Sequence, residues 1–227
     1  MKNNRQLQLT TEEIENHQLS REKPPGDALF WQLWEAAESI AQKALRTDFI
    51  QGIQTGTLHP VTYGSFNVSD AYYCFRGAAD YQQAANRATH PVLKLFLKKK
   101  YQSYQQYNAT FPDTWHLKNA DGIAPSEACL QYAAFESAVA REEAAIYTVV
   151  AMLPCEYLWA WLAAQLAPPQ NGNLYADWIT GNNDPGGAYA MGNFLEAYCQ
   201  QFPVDVTKAQ EIYRQAMTFE YQNFATA

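Results

Sequence analysis

At 227 residues with no low-complexity break, the chain is long enough to bury one substantial hydrophobic core in a single domain. Apolar residues make up 48% of it and the formal net charge is −7, so no basic stripe exists to neutralise phosphates, and nucleic acid is excluded as an expected partner. No stretch reaches the roughly eighteen consecutive apolar residues of a membrane span, and residues 1–23 lack the apolar centre of a secretion signal; no membrane partner is expected and the expected location is cytoplasmic.

Met1 to Gly26 reads as a flexible or loosely docked arm, with the folded domain from 27 to 227. Asp27 is the expected N-cap of a helix of about 20 residues in which Phe30, Leu33, Trp34, Ala37, Ile40, Ala41 and Ala44 recur at helical spacing. A short helix, Phe49 to Gly56, precedes a long one from Pro60 to Ala88, and His90-Pro91 opens the next. That helix carries lysines 98 to 100, which read as a solvated face with an anion or partner site as the alternative. Phe111 to Pro125 reads as a loop. Ser126 to Leu166 is an apolar-rich helical region, split or bent near Ala140 to Glu143. Pro168-Pro169 stops it, Leu174 to Gly181 is a short helix, Pro185-Gly186-Gly187 turns into another, and Thr207 opens the last, to Phe224. No alternating strand pattern competes, so the expected class is all-α.

The four cysteines, Cys74, Cys129, Cys155 and Cys199, form no CxxC pair and lie in helical patterns, which favours free thiols. The four histidines share no close helical spacing with one another or with a cysteine, so no metal site is expected.

Several polar side chains sit in helical stretches otherwise built for burial. Cys155 follows Pro154 and has Ala151, Met152, Leu158 and Trp159 three and four residues away, so its sulfur points among apolar groups. It reads as a small hydrophobe or as a reactive thiol beside a helix break. Glu220 shares a face with Tyr213, Ala216, Met217 and Phe224, which takes a carboxylate into the core. Such a group finds a donor or stays protonated, as a helix-packing tie or as a general acid. Asp70 and Tyr73 are three residues apart on one face, an arrangement that suits the N–H edge of an amino-heteroaromatic ligand; Asp70 also reads as an exposed or capping residue. Tyr132, among Cys129, Phe135 and Val139, is core or pocket wall.

The order of these clusters resembles the TenA family, the thiaminase II or aminopyrimidine aminohydrolase proteins of thiamin salvage. The resemblance runs from Phe30 to Phe224. Phe49-Ile50-Gln51-Gly52-Ile53 with Gly56-Thr57-Leu58 is similar to the family's F-x-Q-G-I-x-x-G-T-L, and Asp70-Ala71-Tyr72-Tyr73 falls at its D-S-Y-Y. Leu153-Pro154-Cys155 matches its L-P-C, Tyr175-Ala176-Asp177-Trp178-Ile179 resembles its Y-x-x-W-I, and Phe219-Glu220-Tyr221-Gln222 resembles its Y-E-Y-Q. The chain departs at Thr47-Asp48, where the family has H-P, and at Gly181 to Asp184, where it has a second pocket tyrosine. Asn223 or Phe224 stands for its aromatic after Y-Q, and residues 84–125 match poorly.

The resemblance implies a heme-oxygenase-like helical bundle without heme or other cofactor, assembled as a homo-oligomer (dimer or tetramer), and a small pyrimidine substrate. It implies Cys155 as nucleophile, Glu220 as general acid, Asp70 on the aminopyrimidine edge, Tyr73 tuning the thiol and Tyr132 lining the ring pocket. Rival readings of the fold are di-iron oxidases, which need E-x-x-H ligand sets that do not occur here, and cofactor-free oxidases relying on pocket His and Arg. A binding protein that keeps the cavity without catalysis is the third.

Overall fold

A helix that is apolar on every side belongs at the centre of whatever folds around it. Ile146–Leu166 is such a helix, with buried residues all round it from Ile146 to Leu166. The computed structural model describes residues 20–227, and among them every regular element is helical. We number these α1 (Leu29–Leu45), α2 (Asp48–Thr55), α3 (Pro60–Arg87), α4 (Pro91–Asn108), α5 (Phe111–Trp115), α6 (Glu127–Glu142), α7 (Ile146–Leu166), α8 (Ala176–Asn182), α9 (Gly186–Cys199) and α10 (Val206–Ala225). The central α7 packs against α3, α6, α8, α9 and α10; α3 pairs with α4 and α6, and α10 with α1. By length and composition α7 could cross a membrane, but 78% of its most apolar window lies buried inside the molecule, as a core helix does.

The ends follow ordinary capping chemistry. Thr47 Oγ1 accepts from Ile50 N at the start of α2, Ser126 Oγ from Cys129 N at α6 and Asp205 Oδ1 from Lys208 N at α10. Gly56, at φ 72°, closes α2 in the left-handed region that costs glycine least. Flat aromatic contacts knit the layers: Phe96 of α4 stacks on Phe194 of α9 at 3.8 Å, and Phe66 of α3 on Phe224 of α10 at 5.3 Å.

Two expectations are corrected here. Asp27 does not cap α1; the helix starts at Leu29 with Ala28 as N-cap, and the Leu29 amide donates instead to Glu196 Oε2 of α9 at 3.2 Å. A carboxylate from a neighbouring helix thus does the work of a local cap. The segment 111–125 is not all loop: α5 forms because Phe111 is buried against Phe75 and Tyr107, which pins a turn that Pro112 starts. Most of the arm expected over residues 1–26 lies outside the described residues. Its end is docked: Asn193 Nδ2 of α9 donates to the carbonyls of Ser20 and Glu22, Trp31 Nε1 donates to the Pro24 carbonyl, and Arg21 pairs with Asp184.

Candidate active site

Four helices meet around one thiol. Pro154 sits inside α7, which removes the amide that would bond the Val150 carbonyl and loosens the backbone beside Cys155. Cys155 packs against a cluster that contains Tyr73 and Cys74 of α3 and Cys129 and Tyr132 of α6, with Phe219 of α10 beside it. Asp70, Cys74, Tyr107, Cys155, Trp159 and Asn182 line a cavity of about 370 Å³. A second cavity of about 320 Å³ shares Asp70, Tyr107, Trp159 and Asn182 with the first. Asp70 therefore faces both spaces.

Glu220, Tyr73 and Tyr132 do not line the first cavity; each is 2% exposed or less, in the layer behind it. Tyr73 and Tyr132 stack at 4.8 Å, and Tyr132 stacks in turn on Phe219 at 6.0 Å. The structure thus brings Asp70 and Cys155 to one cavity and sets the other three behind them. Tyr132 is buried and Trp159 half-buried, and neither Trp159 Nε1 nor Tyr132 Oη finds a hydrogen-bond partner among the described residues.

The site is acidic. Burial, and after it the Asp70 charge, pushes the Glu220 carboxyl up to about 8, with Trp159, Cys155 and Tyr132 pulling the other way. Burial likewise raises Asp70 to about 7, while the Cys74 thiol, 3.9 Å from Asp70 Oδ2, offsets part of the shift. The Cys155 thiol is raised well above its ordinary value by burial, then by Glu220 and Asp70. At neutral pH the arrangement offers a protonated Glu220, an Asp70 near its midpoint and a thiol that keeps its proton until something takes it. Such a set can add sulfur to an electrophilic carbon and hand a proton to a leaving amine.

The lysines of the cluster differ in their surroundings. Lys100 joins the cavity wall and pairs there with Glu156 of α7, its ammonium also 5.7 Å from the Tyr81 and Tyr104 ring centres, whereas Lys98 is exposed. Sequence reasoning also passed over three residues at this site. Cys74 lies four residues after Asp70, Glu136 four after Tyr132 and Trp159 four after Cys155. The same i, i+4 face that placed the first member of each pair carried the signal for the second.

These raised carboxyls have a cost that varies with pH. The unfolded chain releases such protons near about pH 4, whereas the folded chain holds them to about 8 at Glu220, 7 at Asp70 and 6 at Asp80. The folded state then binds more protons above pH 4, so the contribution of these groups to stability is fully present below that pH and is lost as pH rises through their folded values. Asp70→Asn is expected to raise the melting temperature at pH 8 by roughly 3–6 °C and to flatten the decline between pH 5 and 8. Thermal melts across that range check it; no gain at pH 8 would show Asp70 to be compensated in the folded state.

The family model described as TENA/THI-4/PQQC matches residues 34–227. The chain belongs to this family. No curated protein matches. Among solved structures, a TenA homologue from P. horikoshii OT3 superposes with a TM-score of 0.72 at 15% identity, covering 87% of this chain and 96% of that one. PF1337, a TenA homologue from Pyrococcus furiosus, gives 0.73 at 14% identity, covering 86% and 98%. A candidate TenA-like thiaminase from Sulfolobus solfataricus P2 gives 0.65 at 12% identity, covering 88% and 95%. The all-α bundle is thus the TenA fold, and every residue described at the site lies inside the TenA match.

Proposed function

We propose that the chain is a hydrolase of thiamin salvage, releasing a hydroxymethylpyrimidine from a 5-aminomethylpyrimidine or from thiamin. The observation that carries the reading is the shared cavity of Cys155 and Asp70 with the protonated Glu220 carboxyl behind it, on a TenA-family chain. The similarity to a candidate TenA-like thiaminase supports the substrate class.

Asp70 accepts an N–H from the ring amino group and fixes the pyrimidine against Trp159, with Tyr132 backing the pocket. The Cys155 sulfur adds to the ring carbon next to the substituted one, and the thiol proton passes to the ring nitrogen bonded to that carbon. The exocyclic methylene expels its amine, which leaves with the proton from Glu220. Water then adds to that methylene and gives a proton back to Glu220, and the sulfur leaves the ring as the ring nitrogen returns its proton to the thiol, so one water is consumed and one amine released for each hydroxymethyl product. By the same family membership we extend the proposal to a cytoplasmic homo-oligomer.

Incubation with 4-amino-5-aminomethyl-2-methylpyrimidine is expected to give ammonia and the hydroxymethyl product in equal amounts by mass spectrometry. Thiamin assayed in parallel identifies the leaving group. A folded protein that turns over neither compound overturns the reading. The Lys100–Glu156 pair, which puts two opposite charges in the cavity wall, favours as second reading another heteroaromatic substrate with the same thiol chemistry.

A further inference from the structure

The cavity that holds the thiol has a neighbour of different character. Six aromatic side chains line the second cavity of about 320 Å³: Tyr63 of α3, Tyr107 of α4, Phe111 and Trp115 of α5, Trp159 of α7 and Trp178 of α8. Asp70 and Asp177 are the ionisable carboxyls of its wall, and among the described residues no lysine, arginine or histidine lines it. The first cavity differs. Lys100 lines it, with its ammonium 5.7 Å from the ring centres of Tyr81 and Tyr104, so a cation of the chain itself already sits over rings there. The cation–π contacts of the described residues fall on Trp31, Tyr81, Tyr104 and Tyr147, and none falls on a ring of the second cavity.

The face of an aromatic ring is electron-rich, and a wall of rings with a carboxylate beside it attracts a cation. The kind of cation follows from the same wall. Rings cannot replace the hydration of a small ammonium ion, whereas a quaternary or delocalised organic cation is weakly hydrated and loses little on entering. Asp70 sets the place of this cavity in the proposed reaction, since it faces both spaces while Cys155 lines only the first. On the pyrimidine, the amino group and the exocyclic methylene stand on neighbouring ring carbons, and the carbon attacked by sulfur is the next one round. With the amino group on Asp70, the methylene stands between Asp70 and the thiol, next to the residues that the two cavities share.

We propose that the second cavity is a subsite for a quaternary heteroaromatic cation, filled in the proposed reaction by the thiazolium of thiamin, with the ring faces and Asp177 holding its charge. The identity of the cation rests on that reaction; its class rests on the cavity wall. A cation at this place also favours the ionised form of Asp70, the form that accepts the ring N–H, so the leaving group helps to seat the pyrimidine to which it is bonded.

The test is calorimetric titration of the full chain at pH 7.5 and low salt with two probes, 5-(2-hydroxyethyl)-3,4-dimethylthiazolium and the uncharged 5-(2-hydroxyethyl)-4-methylthiazole. The thiazolium is expected to bind at least about tenfold more tightly. Trp115→Leu and Asp177→Asn alter residues that line the second cavity and not the first, one half-buried and the other exposed, so both variants are expected to fold. Each is expected to weaken the thiazolium by about three- to tenfold. Asp177→Asn is expected to leave the uncharged thiazole within about twofold, and Trp115→Phe, which restores a ring face, to recover most of the loss. Equal affinity for the two probes, or no binding of the thiazolium, overturns the proposal. A preference for the cation that survives both variants undiminished overturns it too, because the cation would then bind elsewhere. A chain that binds the thiazolium as expected and hydrolyses neither pyrimidine compound sinks the reaction and leaves the subsite standing; one that hydrolyses the aminomethylpyrimidine and does not distinguish the probes sinks the subsite alone.

Discussion

Cys155→Ala is expected to abolish turnover of the aminomethylpyrimidine, by at least about a thousandfold in kcat, while the melting temperature stays close to that of the parent. The Cys155 sulfur is the one protein atom in the proposed reaction that forms a bond to the substrate, and nothing else on α7 can replace it. The change also removes one small atom beside an existing cavity, so the loss of stability is expected to be about 1 kcal/mol or less. A rival thiol makes the comparison sharper. Cys74 lines the same cavity and sits 3.9 Å from Asp70 Oδ2, where both burial and that carboxyl hold its proton. Cys74→Ala is accordingly expected to lose less than about tenfold. Steady-state rates and melts on the two variants decide between them. Activity that survives in Cys155→Ala and vanishes in Cys74→Ala would move the nucleophile to α3.

The second large effect is on Glu220. A general acid has to hold its proton, and Glu220 does so below about 8 because burial and Asp70 keep it there. Asp70 has to release its proton to accept the ring N–H, and it does so above about 7. The two requirements oppose each other, so kcat/KM is expected to be bell-shaped, with an acid limb near 7 and an alkaline limb near 8. The carboxyls interact, so the limbs belong to the pair as a unit. Glu220→Gln is expected to lower kcat by about 10²–10³, leave KM within about threefold, and remove the alkaline limb. Rates from pH 5.5 to 9.5 on parent and variant are the measurement. An alkaline limb that persists in the variant would assign it to another group and return Glu220 to holding helices together.

Most of the helices are legible from the sequence because their signals are local. Pro60, Pro91, the Gly56 stop and the apolar spacing of α1 and α10 each act within a few residues of where the helix starts, ends or turns its face. The misplaced features depend on distant partners. The cap of α1 is supplied by Glu196, far along the chain, and α5 exists because Phe111 finds Phe75 and Tyr107. Around the thiol the same division holds. Cys155 and Glu220 stand out as polar groups on apolar helical faces, a pattern within one helix. That Cys155 and Asp70 share a cavity, with Glu220 behind it, is a relation among α3, α7 and α10 that no spacing encodes.

All five residues assigned to the reaction, Asp70, Tyr73, Tyr132, Cys155 and Glu220, project from the interior of α3, α6, α7 and α10. The outer part of the cavity is made differently, from Ser103 on the exposed side of α4 and from Gly181 and Asp184 at the junction of α8 and α9, where Arg21 of the N-terminal segment holds Asp184. A change at the inner positions disturbs core packing at several helices at once, whereas a change at the outer ones meets solvent. In the proposed reaction the groups that hold and attack the pyrimidine are therefore separable from those at the cavity mouth. A lineage built on this plan can acquire a new leaving group by drifting at its mouth, with the reacting groups left in place.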